Sequence, residues 1–413
     1  MNPRRVAVTG VGVVTPLGSD TTLFFQRLLS GENAITRIDT FDTEAYSVKI
    51  AGEIKDFDIG PYVHPRDSQR MDRFCQFGLV ASILCFEDAS IQLDESEKER
   101  FGVILGSGIG GTDTFAKEVI VLHEKGPSRV SPVYIPKMIS NIGAAQVAIR
   151  LGAKGITSNP VTACATGTNA IGEAFHRIKF GLEDFMLAGG AEAAINPISV
   201  AGFANMKALS RQNEHPEKAS RPFDLNRDGF VIGEGSGVLF LEEWEHAVGR
   251  KAHIYAEIVG YGCSTDAYHI TLPEPSGRYQ ALCMRKAIEE ANISVQDVTY
   301  INAHGTSTPA NDATETKAIN LLFGEHAKSI HIHSTKSMIG HLLGAAGGVE
   351  AVVTALTLES GKIHPTVNLE TPDPECNLNY TANQMVEAEC RYGLSNSFGF
   401  GGHNHAILLK KVS

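Results

Sequence analysis

No Cys-x-x-Cys pair occurs in this chain, and its seven cysteines are an odd number, which excludes a disulfide framework and a thiolate zinc site of the usual spacing. A reducing compartment, the cytoplasm, is the expectation. No apolar run reaches the roughly 18 residues that a membrane span needs, so membrane insertion is not expected. The opening Met1-Asn-Pro-Arg-Arg-Val-Ala-Val passes into a strand too soon for a signal or transit peptide. Positive charge is scarce too: 36 Lys and Arg against 47 Asp and Glu leave a net charge of -11. Nucleic acid is therefore not an expected partner, since phosphate contacts need clustered cations. With 413 residues, 43% hydrophobic and 20% charged, the chain can fill two substantial domains or one duplicated unit.

One cysteine stands apart. Cys164 lies in Val161-Thr-Ala-Cys-Ala-Thr-Gly-Thr168, flanked only by small residues, where a strand over 155–161 gives way to a helix marked by Ile171, Ala174, Phe175 and Ile178. A helix N-terminus carries partial positive charge, so a thiolate is expected there. Two histidines follow in glycine-rich turns, Ala303-His-Gly-Thr-Ser-Thr308 and Gly340-His-Leu-Leu-Gly-Ala-Ala-Gly347, and read as loop residues rather than core. Cys75, Cys85, Cys263, Cys283, Cys376 and Cys390 read as buried, inert small hydrophobes.

The chain repeats its own pattern. Val6-Ala-Val-Thr-Gly-Val-Gly12 is echoed by Ala256-Glu-Ile-Val-Gly-Tyr-Gly262, and Phe101-Gly-Val-Ile-Leu-Gly-Ser-Gly108 by Val298-Thr-Tyr-Ile-Asn-Ala-His-Gly305. The Cys164 segment and its helix are echoed by Ile330-His-Ile-His-Ser-Thr-Lys336 and a Gly/Ala-rich helix over 340–358. Asp184-Phe-Met-Leu-Ala-Gly-Gly190 is echoed by Tyr392-Gly-Leu-Ser-Asn-Ser-Phe. Four echoes in one order imply two similar α/β halves, 1–252 and 253–413, joined near 244–253. The candidate residues then fall at the carboxyl ends of strands. Residues 112–146 and 195–231 read as insertions in the first half, and the prolines of 126–136 argue against a long helix there.

Other motifs point elsewhere but lack their partners. Gly106-Ser-Gly-Ile-Gly-Gly111 matches a dinucleotide fingerprint, yet a charged helical stretch follows instead of a strand ending in an acid. Asp224-Leu-Asn-Arg-Asp-Gly229 opens like a calcium loop, but position twelve is Gly235 rather than glutamate. His331-x-His333 and His403-x-His405 are strand-spaced pairs without an evident third ligand, and no metal is expected.

In combination, Thr-Ala-Cys-Ala-Thr-Gly, Arg221-Pro-Phe-Asp-x-x-Arg-Asp-Gly-Phe, His-Gly-Thr-x-Thr, Lys336-Ser-x-x-Gly-His and Asn396-Ser-Phe-Gly-Phe-Gly-Gly402 make the whole chain resemble the β-ketoacyl-acyl-carrier-protein synthases of the elongating, two-histidine type. The resemblance implies the thiolase-like fold, with two pseudo-duplicated α/β halves in an αβαβα layering. It also implies decarboxylative condensation of malonyl-acyl carrier protein with an acyl chain held on Cys164, which elongates fatty acids by two carbons. His304 and His341 would donate hydrogen bonds to the developing enolate, and the amides of Cys164 and Phe400 would form the oxyanion hole. Lys336 and Glu350 would support the site, though Glu350 reads equally as an ordinary helical glutamate.

By the same resemblance Phe400 is a gate, with Phe398 its structural companion, and Ile109 and Phe203 line the acyl pocket. Thr306, Thr308 and Thr271 would hold a phosphopantetheine arm, the only cofactor-like group implied. Arg66, Arg70 and Lys207 match carrier-docking positions, although scattered surface charge reads as well. Acyl carrier protein and a second copy of the chain, as a homodimer, are the implied partners. After Phe400-Gly-Gly the family usually has threonine, where this chain has His403. Rival readings differ at single positions. A degradative thiolase wants a second cysteine within 393–405, which has none; a starter synthase has asparagine where His341 stands; a chain-length partner lacks the nucleophile. A free-standing polyketide-type ketosynthase shares every catalytic group.

Overall fold

The computed structural model describes residues 3–412. Its ten main strands are β1 (Val6–Val14), β2 (Phe101–Gly106), β3 (Thr157–Ser158), β4 (Phe185–Glu192), β5 (Gly235–Glu243), β6 (Ala256–Thr265), β7 (Val298–Asn302), β8 (His331–His333), β9 (Tyr392–Gly399) and β10 (His403–Lys410). They form one sheet in the order β8-β7-β9-β10-β6-β1-β5-β4-β2-β3. Read outward from the β1–β6 junction, both halves have the same neighbours. The pairing sense repeats as well. β2 is parallel to β3 and β4, while β5 is antiparallel to β4 and β1. In the second half β7 is parallel to β8 and β9, while β10 is antiparallel to β9 and β6. Val6, Ala7 and Val8 join the halves by pairing with Ile258, Glu257 and Ala256.

Six helices cover the sheet: α1 (Arg73–Asp88), α2 (Ile142–Leu151), α3 (Thr166–Lys179), α4 (Arg278–Glu290), α5 (Pro309–Phe323) and α6 (Ala346–Ser360). α1 and α2 pack on the outer face of the first half and α4 on that of the second, with α5 against α4; α3 and α6 touch strands of both halves and each other. The result is the αβαβα layering. Because both faces are covered, β1, β2 and β4 are buried at every residue, which is why they read as continuous apolar runs. α6 is buried from Ala346 to Leu358 and has no polar face.

Among the described residues three of four hydrophobic clusters fill the layers, and the fourth surrounds Cys164. The central one joins Val8, Ile171, Phe175 and Leu241 of the first half to Val349, Val352, Ile407 and Leu409 of the second. Outer clusters gather around Phe74, Phe77 and Phe240, and around Ile288, Ile301 and Ile319. Each such side chain contributes about 1.5–3 kcal/mol on burial.

The repeated Gly-x-Gly has a steric cause. A Cβ at Gly10 or Gly12 would collide with the carbonyl oxygens of Cys85 and Ala81 on α1, and a Cβ at Gly260 or Gly262 with those of Ala287 and Cys283 on α4. Each half lays its outer helix against backbone that carries no side chain.

Several expectations are corrected. The strand over 155–161 shrinks to β3, two residues at the sheet edge. The helix over 340–358 starts only at Ala346, after a 3-10 turn at Leu343–Ala345. α2 begins at Ile142, inside the stretch read as insertion, and belongs to the outer layer. The 126–136 segment holds no long helix, as expected, only a 3-10 turn, Pro127–Arg129, and the start of a short helix, Tyr134–Met138. Cys263 is exposed on β6, whereas the other five cysteines expected to be buried are buried. Among the described residues no helix is long and apolar enough to cross a membrane.

Gly12→Ala and Gly262→Ala should each destabilise the fold by about 1–3 kcal/mol, as overpacked cores do. Denaturant midpoints measure this, and an unchanged midpoint in either variant contradicts the close approach.

Candidate active site

Cys164 occupies the 3-10 turn Ala163–Ala165 that leads into α3. The turn is tight: Ala163 has a positive φ of 50°, and the Thr166 hydroxyl accepts the Thr162 N–H at 2.9 Å. The sulfur is met by two backbone N–H groups, those of Phe400 and of Cys164 itself. These are the amides expected to form the oxyanion hole. The expected resting thiolate is corrected, however. Burial pushes the thiol up to about 11, against the downward pull of Lys336 and the Phe400 amide, and Glu192 adds to the rise. Desolvation is the largest influence on the sulfur, so the resting group is a thiol.

His304 and His341 stand on loops, as expected, but both are only 2% exposed. Their rings meet edge to face at 5.4 Å, and Phe398 meets the His304 ring at 5.7 Å. Burial, reinforced by Lys336, holds both imidazoles well below the ordinary histidine value, so both are neutral. The Leu343 N–H donates to Nδ1 of His341 at 3.2 Å. With Nδ1 an acceptor, the proton sits on Nε2, which is buried without a partner among the described residues.

Backbone contacts fix both loops. The His341 N–H donates to Val231 O at 2.7 Å and its carbonyl accepts from Gly233 at 2.8 Å, so first-half residues hold a second-half histidine. Glu315 on α5 accepts the N–H groups of His304 and Gly305, each at 2.8 Å. Lys336 is 1% exposed and paired with Glu350 Oε1 on α6. Burial raises the Glu350 carboxyl to about 7 although Lys336 draws it down.

These groups open on one cavity of about 390 Å³ lined by Cys164, His304, His341, Phe398 and Phe400, together with Ile109, Phe203 and Glu192. Thr306, Thr308 and Thr271 line it too. The Thr306 and Thr308 hydroxyls lie 3.0 Å apart, and Thr308 caps α5 by accepting the Asn311 N–H. Lys207 is exposed on the cavity lining; Arg66 and Arg70 are exposed but are not among the lining residues. Phe400 is half-buried in a turn whose Gly401 and Gly402 have positive φ. The Gly401 N–H donates to Ile270 O at 2.8 Å, and Asn404 donates to Asp266 at 2.7 Å.

His403 is half-buried at the start of β10, opposite Gly399 and Thr265, with its ring beside Gly401. His405 shares a 2.7 Å hydrogen bond with the Tyr261 hydroxyl, and His333 bonds the Tyr300 hydroxyl. One histidine of each pair is thus engaged with a neighbouring strand. Among the described residues no group of three or more His, Cys, Asp or Glu is placed to hold a metal.

Sequence reasoning missed Glu315, Glu192, Asp266 and Asn404. Glu315 had one faint signal, a carboxylate on the helix after the His304 turn. Its neighbours Asp312, Thr314 and Thr316 are polar, yet they too are buried on α5.

Family models describe both parts of the chain: residues 3–247 match the N-terminal domain of beta-ketoacyl synthase and residues 255–370 the C-terminal domain. A 3-oxoacyl-[acyl-carrier-protein] synthase 2 of Synechocystis sp. is 49% identical over 100% of this chain and 99% of its own. The synthase of the same name from Staphylococcus aureus is 48% identical over 99% and 98%. Among solved structures, a beta-ketoacyl synthase from Burkholderia phymatum superposes with a TM-score of 0.92 at 36% identity, over 99% of this chain and 100% of the other. A type II polyketide ketosynthase in complex with its acyl-carrier protein gives 0.92 at 36% identity, over 100% of both chains.

A thiol raised to about 11 should be alkylated by iodoacetamide at a rate rising about tenfold per pH unit between about pH 7 and 9. Peptide mapping of Cys164 measures the rate, and a plateau below about pH 8 contradicts the assignment.

Proposed function

The chain belongs to the β-ketoacyl synthase family, and on that premise we propose that it elongates fatty acyl chains by decarboxylative condensation, with Cys164 as the acyl carrier. The observation that supports this most is the convergence in one cavity of a thiol under two backbone amides with two neutral imidazoles.

The steps follow from those groups. Cys164 attacks the thioester of an acyl chain on acyl carrier protein; the sulfur loses its proton, the carrier thiol gains one, and an acyl-enzyme remains. The amides of Cys164 and Phe400 hold the oxyanion as the acyl carbonyl becomes tetrahedral. A malonyl thioester then enters and loses carbon dioxide, leaving an enolate. The charge on its oxygen is met by hydrogen bonds from His304 and from Nε2–H of His341. Neutral imidazoles suit this role, since each keeps a proton to donate without having to release one. The enolate carbon attacks the acyl-enzyme, the carbon-sulfur bond breaks, and the Cys164 thiolate that leaves takes a proton from water to return as a thiol.

Lys336 supports the site through its charge on both histidines and on Cys164, and Glu350 holds it in place. Ile109, Phe203 and Phe398 shape the acyl pocket, Phe400 gates it, and Thr306, Thr308 and Thr271 receive the phosphopantetheine arm. No separate cofactor or metal takes part. Arg66, Arg70 and Lys207 offer cations to an acidic carrier. The cytoplasm is the setting that seven unpaired cysteines suit.

A homodimer is part of the same reading. Phe115, Ile120, Ile135, Ile149 and Val161 are 47–76% exposed on the first-half insertion, α2 and the approach to Cys164, and such apolar surface favours a partner. A polyketide role is less well supported, because the matched polyketide ketosynthase is 36% identical where the fatty-acid synthases reach 48–49%.

Cys164→Ala should abolish both acyl-enzyme and product; an acyl adduct that survives in this variant, seen by intact mass, sinks the reading. His341→Ala should still acylate while condensation falls about 10²–10³-fold, the usual loss of one oxyanion donor. Sedimentation should give twice the chain mass, and a monomer at micromolar concentration removes the dimer.

A further inference from the structure

Glu192 ends β4 with a carboxylate that is 0% exposed, and the donors it accepts from are all uncharged. A buried carboxylate without a countercharge is costly, and here four donors offset the cost. Oε1 accepts the Ser107 hydroxyl at 2.9 Å and the Ile109 N–H at 3.3 Å. Oε2 accepts the Gly108 N–H at 2.7 Å and the Gly344 N–H at 3.0 Å. Ser107 Oγ in turn accepts the Gly110 N–H at 3.0 Å. A Cβ at Gly108 or at Gly344 would lie 2.7 Å from Oε2, so both glycines make room for this carboxylate.

The turn that presents Ile109 is thus anchored through the amides on both sides of it and through its own. Ile109 is 39% exposed and, with Glu192, borders the cavity that holds Cys164.

We propose that Glu192 is a positioning residue that sets acyl-chain-length selectivity by fixing Ile109 as a wall of the pocket. The proposal rests on Cys164 being the acyl carrier. Glu192→Gln keeps the size of the side chain but turns an amide NH₂ toward groups that themselves donate, which loosens the turn. Ser107→Ala leaves the carboxylate intact, removes one donor to it and frees the Gly110 N–H.

The experiment loads the full-length protein with an equimolar mixture of hexanoyl, decanoyl and hexadecanoyl thioesters of acyl carrier protein and reads the Cys164 adducts by mass. The hexadecanoyl-to-hexanoyl ratio should rise by about threefold or more in E192Q, and by less but in the same direction in S107A, as the wall yields. Simple destabilisation lowers all three adducts together and leaves the ratio unchanged. A ratio that stays at the wild-type value, or falls, in S107A and in whatever E192Q protein folds overturns the proposal. A wild-type protein that loads no chain on Cys164 overturns the proposed function and this inference with it, so the two failures are distinct.

Discussion

The chemistry of the cavity depends on one buried cation. Lys336, 1% exposed, stands in a dry interior where its charge is felt by every reacting group. It lowers the basicity of His304 and His341, and it is the largest influence opposing the rise of the Cys164 thiol. Glu350 makes that burial tolerable. Removing one partner of such a pair typically costs about 3–5 kcal/mol, because the other is left charged and unpaired. The same desolvation that keeps the imidazoles neutral also keeps the sulfur protonated, so the nucleophile and both imidazoles rest uncharged near the Lys336–Glu350 pair. Charge appears only when a substrate oxygen or leaving group develops it, next to donors already in place.

Duplication explains where those donors come from. Each half ends equivalent strands at the same edge, and the connections after β3 and β8 lead into the two central helices, α3 and α6. The first half uses its connection for Cys164, the second for Lys336 and His341. The halves are not independent there: Val231 and Gly233 of the first half hold the backbone of His341, and the Phe400 amide of the second reaches the sulfur of Cys164. A site built across a pseudo-symmetric junction needs both halves folded before any of its geometry exists.

The fold was legible because its strands are short apolar runs that end in glycine turns, and because those turns recur in order. The Gly-x-Gly echo has the same cause in both halves, a helix carbonyl pressed on bare backbone. Cys164, His304 and His341 were legible for a related reason: small residues surround them in local sequence. What local sequence does not carry is the balance of fields and burial. A cysteine before a helix reads as a thiolate until the depth of the pocket is known. Cys263 reads as core, yet lies exposed on β6. Glu315 and Glu192 stand 10–11 and 83–85 residues from the groups they hold in their own half, and nothing in their immediate neighbours marks them as anything but helix or strand acids.

Those two carboxylates are nonetheless doing one thing. β2 and β7 are equivalent strands, and each runs into a glycine turn whose amides converge on a carboxylate: those of Gly108 and Ile109 on Glu192, those of His304 and Gly305 on Glu315. In dinucleotide folds a turn of the first kind gathers a pyrophosphate. Here the anion is supplied by the chain itself, and burial raises both carboxyls to about 7 while the amides pull them down. An internal anion turns a ligand-binding loop into a rigid mount, and each mount carries a residue that faces the cavity, Ile109 in one half and His304 in the other. The fingerprint at Gly106 to Gly111 was therefore real as local geometry and misleading as function, because what decides between the two is whether the anion comes from solution or from β4.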